Sequence, residues 1–196
     1  MSYYLPVFAY FLGSIPFAVP VSKAFGLPSP YSYGSGNPGA TNVLRSGGQR
    51  GKTASAITLL LDALKGALPV AVAQLTNSSP FILFLTVLAV FIGHLYPIFY
   101  RFKGGKGVAT AAGILWALDW RLGAAVTLVW VAIAKLLRIS SLAAISAALL
   151  APCISGWLWT QDFRTAAVMV MCLLLLWRHR TNIQRLLKGE ESVFKR

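Results

Sequence analysis

Apolar segments at 4–25, 54–75, 80–100, 107–118, 122–138, 142–159 and 163–178 take up most of this chain and leave little polar surface to clothe a water-soluble fold. With 57% hydrophobic and 12% charged residues over 196 positions, the chain reads as an integral membrane protein. In hydrocarbon each backbone N–H and C=O must find a partner inside its own segment or a closed barrel, so segments of this length are expected to be helices. The expected fold is therefore all-α, with about seven transmembrane helices, some of them short. No internal repeat, long linker or low-complexity segment divides the chain, so residues 1–196 are expected to form a single domain. The segment 107–118 holds only about a dozen residues, ~18 Å at a rise of ~1.5 Å per residue, against a hydrocarbon core of ~30 Å. A half-helix, a tilted helix and a re-entrant piece all fit that length. Segment 4–25 is expected to be a retained helix rather than a signal peptide, because Met1-Ser2-Tyr3-Tyr4 lacks a basic leader and the first lysine, Lys23, comes late.

The basic residues decide the orientation. The net charge of +13 would suit a nucleic-acid binder only if it lay on a water-facing surface, which this composition does not supply. The charges fall on alternate loops instead. Lys23, Arg45, Arg50 and Lys52, then Arg101, Lys103 and Lys106, then Lys135 and Arg138, then Arg178, Arg180, Arg185, Lys188, Lys195 and Arg196 share one side. The other side has Arg121 and Arg164, and Lys65 lies within a span. The positive-inside rule then puts the N-terminus outside and the C-terminus in the cytoplasm, which requires an odd number of spans. Cys153 and Cys172 lie in apolar runs without a metal-ligand spacing, so neither a disulfide nor a metal site is expected.

Chemistry-bearing residues collect on the basic side. The loop Gly34-Ser35-Gly36-Asn37-Pro38-Gly39-Ala40-Thr41-Asn42-Val43-Leu44-Arg45 offers Ser35, Asn37, Thr41 and Asn42 as donors to oxyanions and Arg45 as a bidentate fork. The same residues also serve as ordinary turn formers. Between two apolar segments, Phe102-Lys103-Gly104-Gly105-Lys106-Gly107-Val108-Ala109-Thr110 joins glycine amides, ammonium groups and the expected start of a helix. It is either an anion cradle or a topogenic basic turn, and it lacks the glycine spacing of a P-loop. Asp62 and Lys65 are three apart on one helical face and are expected to pair within the span. His94 has no second ligand at i+3 or i+4, so it reads as a packing residue. Ser140 and Ser141 after Arg138 are expected helix caps or phosphate-facing hydroxyls. In the tail, His179, Asn182 and Ile183 would share one helical side with Arg185 nearer the opposite face, and Ile183, Leu186 and Leu187 would lie on the membrane surface.

Taken together, these blocks resemble the bacterial acyl-phosphate:glycerol-3-phosphate acyltransferases, the PlsY family, over nearly the whole chain. The matching residues are Gly34 to Asn42 with Arg45, Leu61-Asp62 with Lys65-Gly66, Gly93-His94 through Thr110, and His179 with Asn182-Ile183 and Arg185-Leu186. Ser141-Leu142 resembles the family's further serine-bearing loop. One departure stands out: the family commonly carries Asp-hydrophobic-Arg ahead of the first motif, where this chain has Ser29-Pro30-Tyr31.

The resemblance implies a seven-span bacterial inner-membrane enzyme with its active site facing the cytoplasm. Its reaction would move a fatty acyl group from acyl phosphate to the sn-1 hydroxyl of glycerol 3-phosphate, giving lysophosphatidic acid and inorganic phosphate for phospholipid biosynthesis. No cofactor, metal or nucleic acid enters this reaction; the expected partners are the two substrates and the lipid bilayer. The chain is expected to be a monomer, with other phospholipid-synthesis enzymes as associates. Ser35, Arg45, Lys106 and Ser141 would bind the two phosphates, with Gly104, Gly105 and Gly107 shaping the turn. His179, Asn182 and Lys106 would be catalytic, His179 either as general base or as an orienting group while a substrate phosphate takes the proton. Glu190 is expected to pair with a nearby basic residue. The rival class, an anion or lysolipid transporter, would place its basic groups at mid-membrane, whereas here they gather at one interface.

Overall fold

The computed structural model describes residues 2–160 and 162–193; Met1, Lys195 and Arg196, which entered the leader and charge arguments, lie outside the described residues. Among the described residues the fold is wholly helical. Its elements are α1 (Leu5–Gly13), α2 (Ala18–Ala24), α3 (Ala40–Leu44), α4 (Gly48–Leu75), α5 (Pro80–Leu95), α6 (Val108–Leu118), α7 (Trp120–Leu137), α8 (Ser140–Trp159), α9 (Phe163–Arg178) and α10 (Arg180–Leu187).

The first apolar segment is not one helix: α1 and α2 meet at a bend of 45°. Pro16 sits in the break, where it supplies no N–H and disfavours helical geometry in the residue before it. Unwound backbone in an apolar setting needs partners, and α4 provides them. Lys65 Nζ donates to the Ile15 carbonyl, and the Phe17 amide donates to Asp62 Oδ1 at 3.4 Å. Asp62 and Lys65, 1% and 2% exposed, are also paired with each other at 2.6 Å, as their spacing anticipated. His94 joins this group rather than standing alone, with Nδ1 at 3.9 Å from Asp62 and at 3.1 Å from the Thr110 hydroxyl.

Four helical stretches, α4, Pro80–Tyr100, α7 and α8, are long and apolar enough to cross a membrane, or five if α1 and α2 form one bent crossing. At a rise of ~1.5 Å per residue, α6 reaches only ~16 Å and α9 ~24 Å. α4 packs on α6 and α1 on α5, while α7, α8 and α9 follow in sequence and α9 returns to α5. With an apolar solvent outside, association rests on close packing rather than on burial from water. Accordingly α8 meets its neighbours through Ala144, Ala147, Ala148 and Ala151, a buried stripe of small side chains, around a core that includes Phe91, Leu95, Ile114, Leu122 and Met171. Leu60, Leu128, Leu149, Trp157 and Leu173 point outward.

The two ends of the bundle differ in charge. Asp119 caps α7 and Asp162 caps α9 by accepting from the Arg121 and Arg164 amides, and each carboxylate pairs with the same arginine's side chain at 2.7 Å. The two basic residues on the minority side are thus neutralised by helix caps. The remaining basic loops, the α3 loop and α10 lie toward the opposite end, where the polar motifs meet.

Candidate active site

At that end four segments converge: the loop leading into α3, the Gly-Lys turn before α6, the α9–α10 junction, and the tail after α10. Between them lies a cleft of about 250 Å³, lined by Ser35 and Asn37, by Gly104 and Lys106, and by Arg178, Arg180 and Arg185. A larger depression of about 410 Å³ opens at Phe163, Ala166 and Met169, at the far end of α9. It is also lined by Thr165 and by the Asp162 carboxylate and presents no basic group to an anion, so the smaller cleft is the candidate site.

In the first loop, Asn42 is a buried keystone. Its Nδ2 donates to the Pro30 and Tyr33 carbonyls at 2.8 and 3.2 Å, and its Oδ1 accepts the Ser35 amide at 3.0 Å. This side chain is therefore committed to folding the loop and is not free to donate to an oxyanion, while Ser35 is left exposed at the cleft wall. Tyr31 donates its hydroxyl to the Lys103 carbonyl at 2.7 Å, a neutral tether from this loop to the Gly-Lys turn. Burial and the neighbouring Tyr100 push the Tyr31 hydroxyl up to about 12, so it stays protonated and able to donate.

The turn itself is built by close approach. A Cβ at Gly105 would collide with the His94 ring, and one at Gly107 with the Phe91 ring; Gly107 also has φ +87°, in the region that favours glycine. The Gly105 amide donates to the His94 carbonyl at 3.1 Å, and Arg178 donates to the Gly104 and Gly105 carbonyls. Gly104 faces the cleft, whereas Gly105 and Gly107 are buried behind it. The glycines thus act as a scaffold for Lys106 more than as a cradle of amides.

Lys106 Nζ donates to Asn182 Oδ1, and Asn182 Nδ2 donates to Glu191 Oε1 at 2.8 Å. A lysine only donates and a carboxylate only accepts, so this pair fixes which way the Asn182 amide faces. Burial lowers the Lys106 ammonium to about 8; Glu191 opposes the shift, and Arg185, Arg45 and Arg178 add to it. His179, 2% exposed, forms the α9–α10 junction, with Nδ1 at 2.9 Å from the Leu175 carbonyl. A carbonyl can only accept, so Nδ1 carries the proton and Nε2 is the lone-pair nitrogen. Burial lowers this imidazole to about 4, against the pull of the Leu175 bond, so it is neutral near pH 7.

Several sequence expectations shift here. Arg185 lines the cleft instead of facing away: it lies three residues after Asn182 and so shares its side of the helix. The acidic partner of the site is Glu191, not the exposed Glu190. Arg45 donates to Ser192 Oγ at 2.7 Å, which draws the tail across the loop. Ser140 and Ser141 open α8 but do not cap it, the cap position being Ile139 with no side-chain bond. Ser141 is buried with an unpartnered hydroxyl and does not line the cleft. Arg178, Arg180 and Thr181 carry no sequence signal of a site because only the approach of the α9–α10 junction to the turn brings them into the cleft.

A family model described as glycerol-3-phosphate acyltransferase matches residues 3–189. The chain is 54% identical over 186 residues to the glycerol-3-phosphate acyltransferase of Methylobacillus flagellatus, a match spanning 95% of this chain and 93% of that protein. The enzyme of the same description from Dechloromonas aromatica is also 54% identical, over 95% of this chain and 92% of that one. Among solved structures, the fold matches the crystal structure of PlsY (YgiH), an integral membrane glycerol 3-phosphate acyltransferase, in its glycerol 3-phosphate form. That match has a TM-score of 0.93 and 38% identity over 99% of this chain and 96% of the other. Its lysophosphatidic acid form matches with a TM-score of 0.91, over 99% and 95% of the two chains.

Proposed function

The chain belongs to the glycerol-3-phosphate acyltransferase family, and on that premise we propose that its acyl donor is acyl phosphate and its acceptor the sn-1 hydroxyl of glycerol 3-phosphate. The observation that carries this reading is the Lys106–Asn182 contact at a cleft lined by Ser35, Arg178, Arg180 and Arg185, beside a neutral His179. Two phosphate-bearing substrates need that concentration of positive charge. Acyl phosphate is already activated, which accords with a cleft that presents neither a thiol nor a serine paired with a base.

In this mechanism the glycerol hydroxyl attacks the acyl carbonyl carbon, and the C–O bond to phosphate breaks with its electron pair leaving on phosphate. Lys106 has two donors left after Asn182 and stabilises the oxyanion and the departing phosphate, a term for which one donor is worth ~3 kcal/mol. Neutral His179 accepts a hydrogen bond from the attacking hydroxyl through Nε2, and the phosphate oxygen takes the proton. Ser35 holds phosphate at the cleft wall, and Arg180 and Arg185 extend the site. Arg45, bonded to Ser192, and Ser141 do not line the cleft and are assigned to phosphate by resemblance alone.

The proposed topology is seven crossings of a bacterial inner membrane, with α6 and the 16-residue α9 completing the count, N-terminus outside, C-terminus and cleft in the cytoplasm. The chain acts as a monomer in this reading, with other phospholipid-synthesis enzymes as its neighbours. The test is phosphate release by purified protein given palmitoyl phosphate, with and without glycerol 3-phosphate, and with palmitoyl-coenzyme A as an alternative donor. Release that needs both palmitoyl phosphate and glycerol 3-phosphate is expected. Release independent of glycerol 3-phosphate, no release, or acyl transfer from the coenzyme A thioester overturns the proposal.

A further inference from the structure

Arg178 is a basic residue in the wall of the cleft, yet two of its five N–H donors are taken by the protein's own backbone. Its Nε donates to the Gly105 carbonyl at 3.1 Å and its Nη2 to the Gly104 carbonyl at 2.9 Å, while the guanidinium lies 5.6 Å from the centre of the Tyr96 ring. The next residues along complete the arrangement. Asn182, four positions later on the same junction, takes the Lys106 ammonium at the other end of that lysine's side chain. From the opposite side, the His94 carbonyl holds the Gly105 amide. The two residues before Lys106 are thus held through both their carbonyls and one amide, and Arg178 is the one side chain that bridges both carbonyls.

We propose that Arg178 is a positioning residue for Lys106: its planar fork grips the Gly104 and Gly105 carbonyls and sets the place at which the turn presents the ammonium group to the reacting phosphate. The proposal rests on the acyltransferase reading of the cleft. A guanidinium suits the task because its N–H groups diverge in a fixed plane and can reach two carbonyls one residue apart, whereas a lysine delivers the same charge from a single nitrogen. Without the fork, two buried carbonyls lose their partner and the glycine pair, which has no side chain to restrain it, is free to rearrange.

The test compares Arg178→Lys and Arg178→Gln with the wild-type protein in palmitoyl phosphate:glycerol 3-phosphate transfer, reading kcat, both KM values and the pH profile. Elution volume and thermal midpoint in detergent serve as the check on folding. A positioning role predicts that Arg178→Lys lowers kcat at least tenfold while each KM changes less than threefold, with the alkaline limb of the profile unmoved because the charge near Lys106 is kept. Arg178→Gln is expected to lose kcat similarly but to shift that limb upward, since it removes a cation that lowers the Lys106 pKa. Wild-type kcat in folded Arg178→Lys overturns the proposal, because charge alone would then suffice. A raised KM for either substrate at near-normal kcat also overturns it, marking Arg178 as a phosphate ligand. If Arg178→Lys does not fold, the same kcat-against-KM criterion is applied to Arg178→Gln. An inert wild-type protein overturns the acyltransferase reading and this inference together, an outcome distinct from an active wild type with unaffected variants.

Discussion

In the proposed mechanism the pH dependence of turnover rests on two groups whose surroundings move them in the same direction with opposite consequences. His179 falls to about 4 and is neutral, with Nε2 free to accept, throughout the range above ~5. Lys106 falls to about 8, so the cation is present below that value and lost above it. Activity that needs neutral His179 and charged Lys106 should be flat from about pH 5 to 7 and fall to about half at pH 8; at pH 9, with a pKa of about 8, roughly one molecule in eleven retains the ammonium group. The perturbation that isolates this effect is Glu191→Gln. The substituted amide still accepts from Asn182, but the one anion that raises the Lys106 pKa is gone. The alkaline limb should therefore move below 8, by about 0.5 to 1 unit for one screened charge at this distance, where one unit is ~1.4 kcal/mol. The assay is initial-rate phosphate release from palmitoyl phosphate at saturating glycerol 3-phosphate, between pH 5 and 10, for both proteins. An unmoved limb, or a limb that moves upward, would refute the assignment of that ionisation to Lys106 beside Glu191.

His179→Ala should weaken glycerol 3-phosphate use by 100-fold or more in kcat/KM without removing any ionisation near neutral pH, since the imidazole is already neutral there; disappearance of an acid limb near 6.5 would mark a histidine base. Tyr31→Phe removes the tether to Lys103 and should lower stability by about 1 kcal/mol in thermal unfolding, with little change in KM; no change in midpoint would show that the loop is held otherwise. Asp62→Asn and Lys65→Met should each destabilise by about 3 kcal/mol, with the double variant well short of the sum because it leaves no unpaired buried charge. Additive losses in that cycle would argue against a coupled pair.

How far each element was legible depends on whether the deciding interaction is local. Hydropathy is a sum along the chain, so α4 to α9 lie where apolar runs predicted them, and the short fourth apolar segment is α6, at 11 residues. The basic asymmetry was equally readable, as was the Asp62–Lys65 pair, whose partners lie one helical turn apart. Partners distant in sequence were not. The glycine-rich turn announced an anion site, but its Gly105 amide belongs to His94 and its carbonyls to Arg178, 74 and 73 residues away. Arg185 faces away only when placed relative to His179, which is the junction; within α10 it lies three residues after Asn182 and shares its side.

The sequence by itself determined a helical membrane protein with one basic face and motifs specific enough to identify its family, because the solvent preference of each segment and the order of the motif blocks need no folded structure. Only the tertiary structure decided that the first segment breaks at Pro16 and is held there by α4. It also decided that Tyr31 ties its loop to the Gly-Lys turn, that Glu191 rather than Glu190 completes the Lys106–Asn182 relay, and that Arg178 faces the turn's backbone. Each of these turns on which donor meets which acceptor across tens of residues, and that is fixed by how helices approach and where their ends fall, quantities absent from any local pattern.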